Sequence, residues 1–282
     1  MGSVRTASPF ATVDGVSELT QSRELRRRER SCGEGAMGSD RLRTEELAFV
    51  RGDERIKAYA AWLRRDERLP AVVVLHDVRG LTEHYREVTR RLANEGFFAL
   101  AIDLYSREGM PLLPSMEAVF TWMQNLDDRR VLADIDGGVR FLLSRPEVRA
   151  RSIGITGFCM GGRYALLAAC ASEHLSACAS FYGMLRDGER TELKPASPLD
   201  LAPQLRCPFL GLFGEDDGLI PRSDIKQLES IFRKLEKTFQ TKIYPGAGHA
   251  FMNDTRPDTY RPAVAKDAWT RAIAFFRTHL AA

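Results

Sequence analysis

Cys159 stands at the centre of the hexapeptide Gly157-Phe158-Cys159-Met160-Gly161-Gly162, which follows the apolar run Ile153-Gly154-Ile155 and precedes Tyr164-Ala165-Leu166-Leu167-Ala168-Ala169. The order reads as strand, sharp turn, helix, with a cysteine at the tip. Flanking glycines let a chain fold tightly enough to lift one strained side chain above the edge of a sheet, the pattern G-x-nucleophile-x-G. The same turn aims the N-terminus of the following helix at the sulfur, and its positive dipole end favours thiolate over thiol. These residues alone also allow a plainer reading. Small residues between a strand and an Ala-rich helix permit close packing, and a buried cysteine behaves as a small hydrophobe.

Nucleophilic chemistry at Cys159 needs a base, a group that orients the base, and donors for an oxyanion. The base candidate is His249, in Tyr244-Pro245-Gly246-Ala247-Gly248-His249-Ala250-Phe251, where a Gly- and Pro-rich loop follows the strand-like Thr241 to Tyr244. His84, His174 and His279 read as ordinary hydrogen-bonded histidines. An orienting acid comes from Glu215-Asp216-Asp217, a carboxylate-rich turn after the apolar Phe209 to Phe213, and Asp217 is the choice among the three. Backbone N–H groups serve as oxyanion donors. Met160, next to the cysteine, is one; Val78, after the buried strand Val72-Val73-Val74-Leu75 and its Gly80-containing turn, is the other. His76 and Asp77 flank the same position.

The motifs His76-Asp77-x-x-Gly80-Leu81, Asp103-Leu104-Tyr105, Gly157 to Gly162, Gly214-x-x-Asp217-x-x-Ile220-Pro221 and Gly248-His249-x-Phe251 together resemble the dienelactone hydrolase family, over about residues 45 to 280. The resemblance implies a single α/β-hydrolase domain and the opening of enol-lactones or other activated esters, with Cys159 as nucleophile, His249 as base and Asp217 as its partner. Two departures bear on substrate. The family's founding enzymes carry a glutamate where this chain has Asp77, one methylene shorter. They also grip the lactone carboxylate with an arginine four residues after the histidine and another after the Asp-Leu-Tyr motif. Here the first position is Asn253, and no arginine occurs from Gly109 to Asp128. Asparagine cannot reproduce the paired, charge-assisted bonds of a guanidinium, so dienelactone itself is expected to be a poor substrate, with Arg79, Arg107 or Arg256 left to compensate.

Positioning these residues falls to a regular series of elements. Glu46 to Val50 and Ile56 to Leu63 read as an antiparallel pair around Arg51-Gly52-Asp53. Strand Ala71 to Leu75, helix Glu83 to Asn94, strand Phe97 to Ile102, a long helix ending before Pro146, strand Ser152 to Thr156 and the elbow helix follow. Such alternation predicts an α/β fold, a mostly parallel sheet with helices on both faces. Further strands are expected near Ser176, Pro208 and Lys242, and a closing helix over Val264 to Leu280. Asp77, Cys159, Asp217 and His249 each follow a strand, at the edge where open parallel sheets bind ligands. Tyr105, Phe158, Phe181, Tyr182 and Phe251 are the expected pocket walls. Trp122, in the segment Pro111 to Leu126, is expected in a packed helix, with a flap over the site as the alternative.

Length and composition fit one enzyme domain: 282 residues with 44% hydrophobic content bury one large core. The balance of 41 basic against 38 acidic side chains, a net +3, argues against nucleic acid as a partner. No apolar stretch approaches the ~20 residues that span a bilayer. Five cysteines show neither paired nor metal-ligand spacing, which suits the cytoplasm. Residues 1–36 lack apolar periodicity and carry six arginines with five acids; they read as a disordered extension before a single domain over 37–282. The expected activity is two-step acyl transfer on a small ester or lactone, needing no metal or cofactor. Thioester hydrolysis or acyl transfer, and reversible redox sensing at Cys159 without catalysis, are the alternatives. Oligomeric state is not legible.

Overall fold

A computed structural model describes residues 42–281. The expected extension 1–36, the boundary at 37 and Cys32 lie outside the described residues. The opening hairpin pairs β1 (Leu42–Arg51) with β2 (Glu54–Leu63) in antiparallel register from Leu42↔Leu63 to Arg51↔Glu54. Both strands are longer than their apolar cores suggest. The turn at Gly52 and Asp53 closes at a positive φ of 59°, which glycine adopts without a Cβ penalty.

The sheet then runs β3 (Leu69–Leu75), β4 (Phe98–Ile102), β5 (Val148–Phe158), β6 (Ala177–Phe181), β7 (Phe209–Gly214) and β8 (Phe239–Tyr244). Its spatial order is β1-β2-β4-β3-β5-β6-β7-β8. All pairings from β4 onward are parallel. β4 and β6 are buried at every position, as parallel strands covered on both faces must be.

Among the described residues six α-helices connect these strands and a seventh follows the last: α1 (Glu83–Asn94), α2 (Met116–Asn125), α3 (Asp128–Leu143), α4 (Met160–Ala171), the short α5 (Pro198–Leu201), α6 (Arg222–Lys234) and then α7 (Pro262–His279). α1 and α7 lie together, with Arg91 over the Trp269 ring at 4.2 Å and Arg277 bonded to Glu95 at 2.7 Å. α3 packs beside α4. The chain between β4 and β5 carries two helices. Asp127 ends the gap between them, its side chain accepting from the Arg129 N–H at 2.9 Å as an N-cap. In α2 only Met123 is buried, so the packed-helix expectation for Trp122 holds in part: the helix forms, half-buried Trp122 meets the edge of Tyr105 at 5.5 Å, and much of the rest faces solvent. Among the described residues no helix is long and apolar enough to cross a membrane.

Candidate active site

β5 continues to Phe158 and α4 begins at Met160, so Cys159 alone makes the turn, at φ 55° and ψ −117°. The glycines around it are fixed by close approach. A Cβ on Gly157 would stand 2.0 Å from the Gly161 carbonyl oxygen, and one on Gly161 would stand 2.3 Å from that of Leu75. The elbow is thus pressed directly onto the end of β3. The Cys159 N–H donates to the Phe181 carbonyl at 3.0 Å, and the Cys159 carbonyl accepts from Arg163 at 3.1 Å. Both bonds hold a backbone conformation that is sparsely populated for any residue but glycine.

Asp217 and His249 meet across the ends of β7 and β8. Asp217 Oδ2 and His249 Nδ1 lie 2.7 Å apart, and Asp217 Oδ1 accepts from the Leu219 N–H at 2.9 Å. Of the three neighbouring acids, Glu215 and Asp216 are exposed and Glu215 pairs with Arg222, leaving Asp217 as the buried carboxylate. Its bond to Nδ1 turns Nε2 toward the sulfur. Burial alone would hold His249 neutral, but the adjacent Cys159 sulfur and Asp217 carboxylate outweigh it, and the imidazole is pushed up to about 10.

Nε2 of His249 and the hydroxyls of Tyr85 and Tyr182 are buried, His249 beside Cys159 and Tyr85 beside Asp77. Tyr182, itself at φ 40°, sets its ring against His249 and Phe251, each at 5.1 Å. Burial, reinforced by the charge of Asp77, pushes both tyrosine hydroxyls well above their ordinary range, and Cys159 contributes to each in the same direction. These three polar groups cluster about Cys159, whose charge acts on each of them.

Of the oxyanion candidates, Met160 is the first residue of α4, so its N–H has no intrahelical acceptor. Val78 lies in the loop after β3, where Asp77 Oδ1 accepts from the Arg79 N–H at 2.8 Å. Tyr105 donates its hydroxyl to the Val78 carbonyl at 3.1 Å and lies 3.4 Å from Met160 Sδ. It therefore braces both candidates, which is a different place from the expected pocket wall.

Other expected substrate contacts are corrected. Phe158 and Phe251 have no exposed surface. Phe158 ends β5 directly opposite Phe181, on which it stacks at 4.7 Å, and Phe251 packs between Tyr182 and Tyr244. Both belong to the core. Asn253 is buried, with Oδ1 accepting from the Thr255 N–H at 3.0 Å and hydroxyl at 2.7 Å. Arg107 is committed, bonded to Glu54 and Asp134. Arg79 is exposed and Arg256 half-buried. A depression of about 480 Å³ along α2, lined by Leu112, Leu113, Ala118 and Trp122 among others, contains none of the chemistry-bearing residues. The chemistry-bearing residues form a separate cluster around Cys159, Asp217 and His249. Tyr85 was not legible as part of it; its signal is a hydroxyl on the buried face of α1 among His84, Val88, Thr89 and Leu92.

A mostly parallel sheet with a strand-turn-helix elbow after β5, an acid after β7 and a histidine after β8 is the α/β-hydrolase architecture. Within that class, the family model of the dienelactone hydrolase family matches residues 56–280, and the chain belongs to this family. A Bradyrhizobium protein named as a 2-oxo-3-(5-oxofuran-2-ylidene)propanoate lactonase is 40% identical over 245 residues, covering 85% of this chain and 98% of the relative. An Escherichia coli K12 protein named as a carboxymethylenebutenolidase is 36% identical over 232 residues, covering 81% of this chain and 84% of its own. The crystal structure of a Klebsiella pneumoniae protein described as a dienelactone hydrolase superposes with a TM-score of 0.79 at 35% identity, covering 83% of this chain and 98% of that one. As a member of this family the chain is a dienelactone hydrolase-like ester or lactone hydrolase.

Proposed function

We propose that the protein hydrolyses small carboxylic esters or lactones through a Cys159-His249-Asp217 triad and an acyl-cysteine. The observation that carries this reading is the alignment of Asp217 Oδ2 on His249 Nδ1 at 2.7 Å, with the same imidazole beside a cysteine held at positive φ. The Cys159 thiolate attacks the carbonyl carbon, and the carbonyl electrons move onto oxygen, which the Val78 and Met160 amides receive. Collapse expels the alkoxide, which takes the proton from His249 Nε2 and leaves a thioester on sulfur. Water then gives a proton to Nε2 as it attacks the thioester carbon, and the second collapse releases the acid and returns the thiolate facing imidazolium. Asp217 keeps the Nδ1–H tautomer and stabilises the imidazolium.

The commitment of Arg107 to Glu54 and Asp134, with asparagine at position 253, supports the expectation that a carboxylate is not the substrate's main handle. An anionic lactone should then bind weakly, and saturation kinetics with a micromolar KM would contradict this. Cys159, Cys170, Cys178 and Cys207 are all free thiols, which supports a reducing, cytoplasmic setting. The test is turnover of a p-nitrophenyl ester series by wild type and Cys159→Ala, with intact mass recorded early in the reaction. Turnover lost in the variant, with an acyl adduct on the wild type, is the expected result. Turnover surviving in a folded Cys159→Ala would remove the triad from the mechanism.

A further inference from the structure

His76 is wholly buried in the loop that carries Val78, yet the triad makes no use of it. Both ring nitrogens are engaged. Nδ1 lies 2.6 Å from the Asp77 carbonyl, which can only accept, so Nδ1 carries the proton. Nε2 receives the Leu104 N–H at 3.0 Å, so Nε2 carries the lone pair. The two bonds fix one neutral tautomer. Asp103 Oδ1, 3.8 Å from Nε2, is beyond hydrogen-bond reach and instead accepts from the Tyr105 N–H at 3.0 Å. Burial also lowers the imidazole's affinity for a second proton, against the opposing pull of the Asp77 carbonyl and of the Asp103 and Asp77 charges.

The carbonyl that His76 holds belongs to the peptide joining Asp77 to Val78. Among the described residues no peptide bond is cis. In a trans peptide the N–H points opposite to the C=O. Fixing the Asp77 oxygen toward His76 therefore aims the Val78 N–H the other way, and that N–H has no hydrogen-bond acceptor among the described residues. Gly80 donates to the same carbonyl at 3.2 Å, so two donors converge on its oxygen. A peptide whose oxygen accepts hydrogen bonds is also a stronger donor at its nitrogen. Resting on the hydrolase reading above, we propose that His76 is a positioning residue of the oxyanion hole: its Nδ1–H sets the orientation of the Asp77–Val78 peptide and so aims the Val78 amide at the developing oxyanion. Leu104 acts through Nε2 to keep the tautomer that does this.

A matched pair of substitutions separates the two bonds. The amide nitrogen of Asn occupies roughly the place of Nδ1, and the amide of Gln reaches the place of Nε2. His76→Gln keeps an acceptor for Leu104 and loses the donor to Asp77; His76→Asn does the reverse. Each is assayed on p-nitrophenyl acetate and on the corresponding thionoester, whose C=S sulfur is a weak hydrogen-bond acceptor and gains little from an oxyanion hole. His76→Gln should lower kcat on the oxygen ester about 10- to 100-fold, a share of the ~10²–10³ lost when an oxyanion donor is removed outright. KM should stay within about twofold, as for a contact made in the transition state. The thionoester should lose much less, and His76→Asn should recover most of the oxygen-ester rate. Equal losses on both esters, or an Asn variant as impaired as Gln, would make His76 a structural clasp and overturn the proposal. Wild type inactive on both esters would instead overturn the hydrolase reading, and this role with it. Nitrogen-15 spectra of the wild-type imidazoles give an independent check that needs no variant: His76 should show the neutral Nδ1–H form, and an Nε2–H or doubly protonated ring at neutral pH would refute the assignment.

Discussion

Directly behind the elbow, Arg163, Lys194, Asp128 and Asp187 form a buried network of two positive and two negative charges, and removing Asp128 should cost the fold far more than removing Asp187. Asp128 has no exposed surface and accepts four bonds: from Arg163 Nη1 at 3.0 Å and Nη2 at 2.6 Å, from the Tyr164 hydroxyl at 2.8 Å, and from Lys194 Nζ at 2.6 Å. Asp187, at the partly open end, serves Arg163 alone, at 2.7 and 2.6 Å. Asp128→Ala leaves Lys194 with no acid and Arg163 with half its partners. Stranding a buried charge in this way costs about 3–5 kcal/mol, a large share of the ~5–15 kcal/mol that holds a typical domain. The low end is expected at neutral pH because Lys194 has a way out. Burial first, then the charge of Arg163, already lower its pKa, with Asp128 opposing them. Without Asp128 the ammonium sheds its proton more readily. The sign follows from linkage: the unfolded chain then binds the extra proton, so stability rises with pH from the depressed native value up to the ordinary lysine range. The penalty of Asp128→Ala is therefore greatest in acid and shrinks as pH rises. Urea unfolding of both variants at several pH values reads this as a change in midpoint at constant slope. A cost below about 1 kcal/mol, or one equal to that of Asp187→Ala, would refute the reasoning, since the pair-breaking magnitude would be absent.

Three further outcomes follow from the site. Gly161→Ala should destabilise by at least the ~1–3 kcal/mol of an overpacked core, because the added methyl meets the Leu75 and His76 carbonyl oxygens at 2.3 and 2.5 Å, atoms that cannot rotate away; a thermal midpoint equal to wild type would disprove it. Asp217→Asn should leave the fold intact and lower kcat by roughly 10³-fold or more through loss of the His249 tautomer, and a loss under tenfold would remove Asp217 from that role. His249 should titrate near 10 in native enzyme. Its folded value lies above the unfolded one, so its stabilisation is complete below about pH 6.5 and is lost as pH rises through 10. Proton spectra of the His249 ring check this, and a midpoint near 6.5 would contradict it.

Local signals made the elbow, the strand-end placement of Asp77, Asp217 and His249, and α1 at its full span Glu83–Asn94 readable from sequence. Each rests on composition within a few neighbours: glycines at a turn, apolar periodicity, a carboxylate cluster after a strand. What escaped depends on long-range pairing. Phe158 and Phe251 read as pocket walls because aromatic residues beside catalytic motifs look alike whichever way they point. Only the register Phe158↔Phe181 and the packing of Phe251 between Tyr182 and Tyr244 show that both are turned inward. Arg163 and Lys194 are 31 positions apart and carry no local mark of burial; a fully buried arginine becomes intelligible only once Asp128 and Asp187 are seen around it. His76 stood next to the expected oxyanion donor, but its role depends on Leu104, brought near by the pairing of β3 with β4.

The left-handed turn at Cys159 sets activity against durability. A non-glycine residue in such a conformation costs of order 1–3 kcal/mol, and glycine would relieve most of it. The chain is thus less stable for carrying a cysteine there, and Cys159→Gly should outlast the wild type on heating whether or not it keeps any activity.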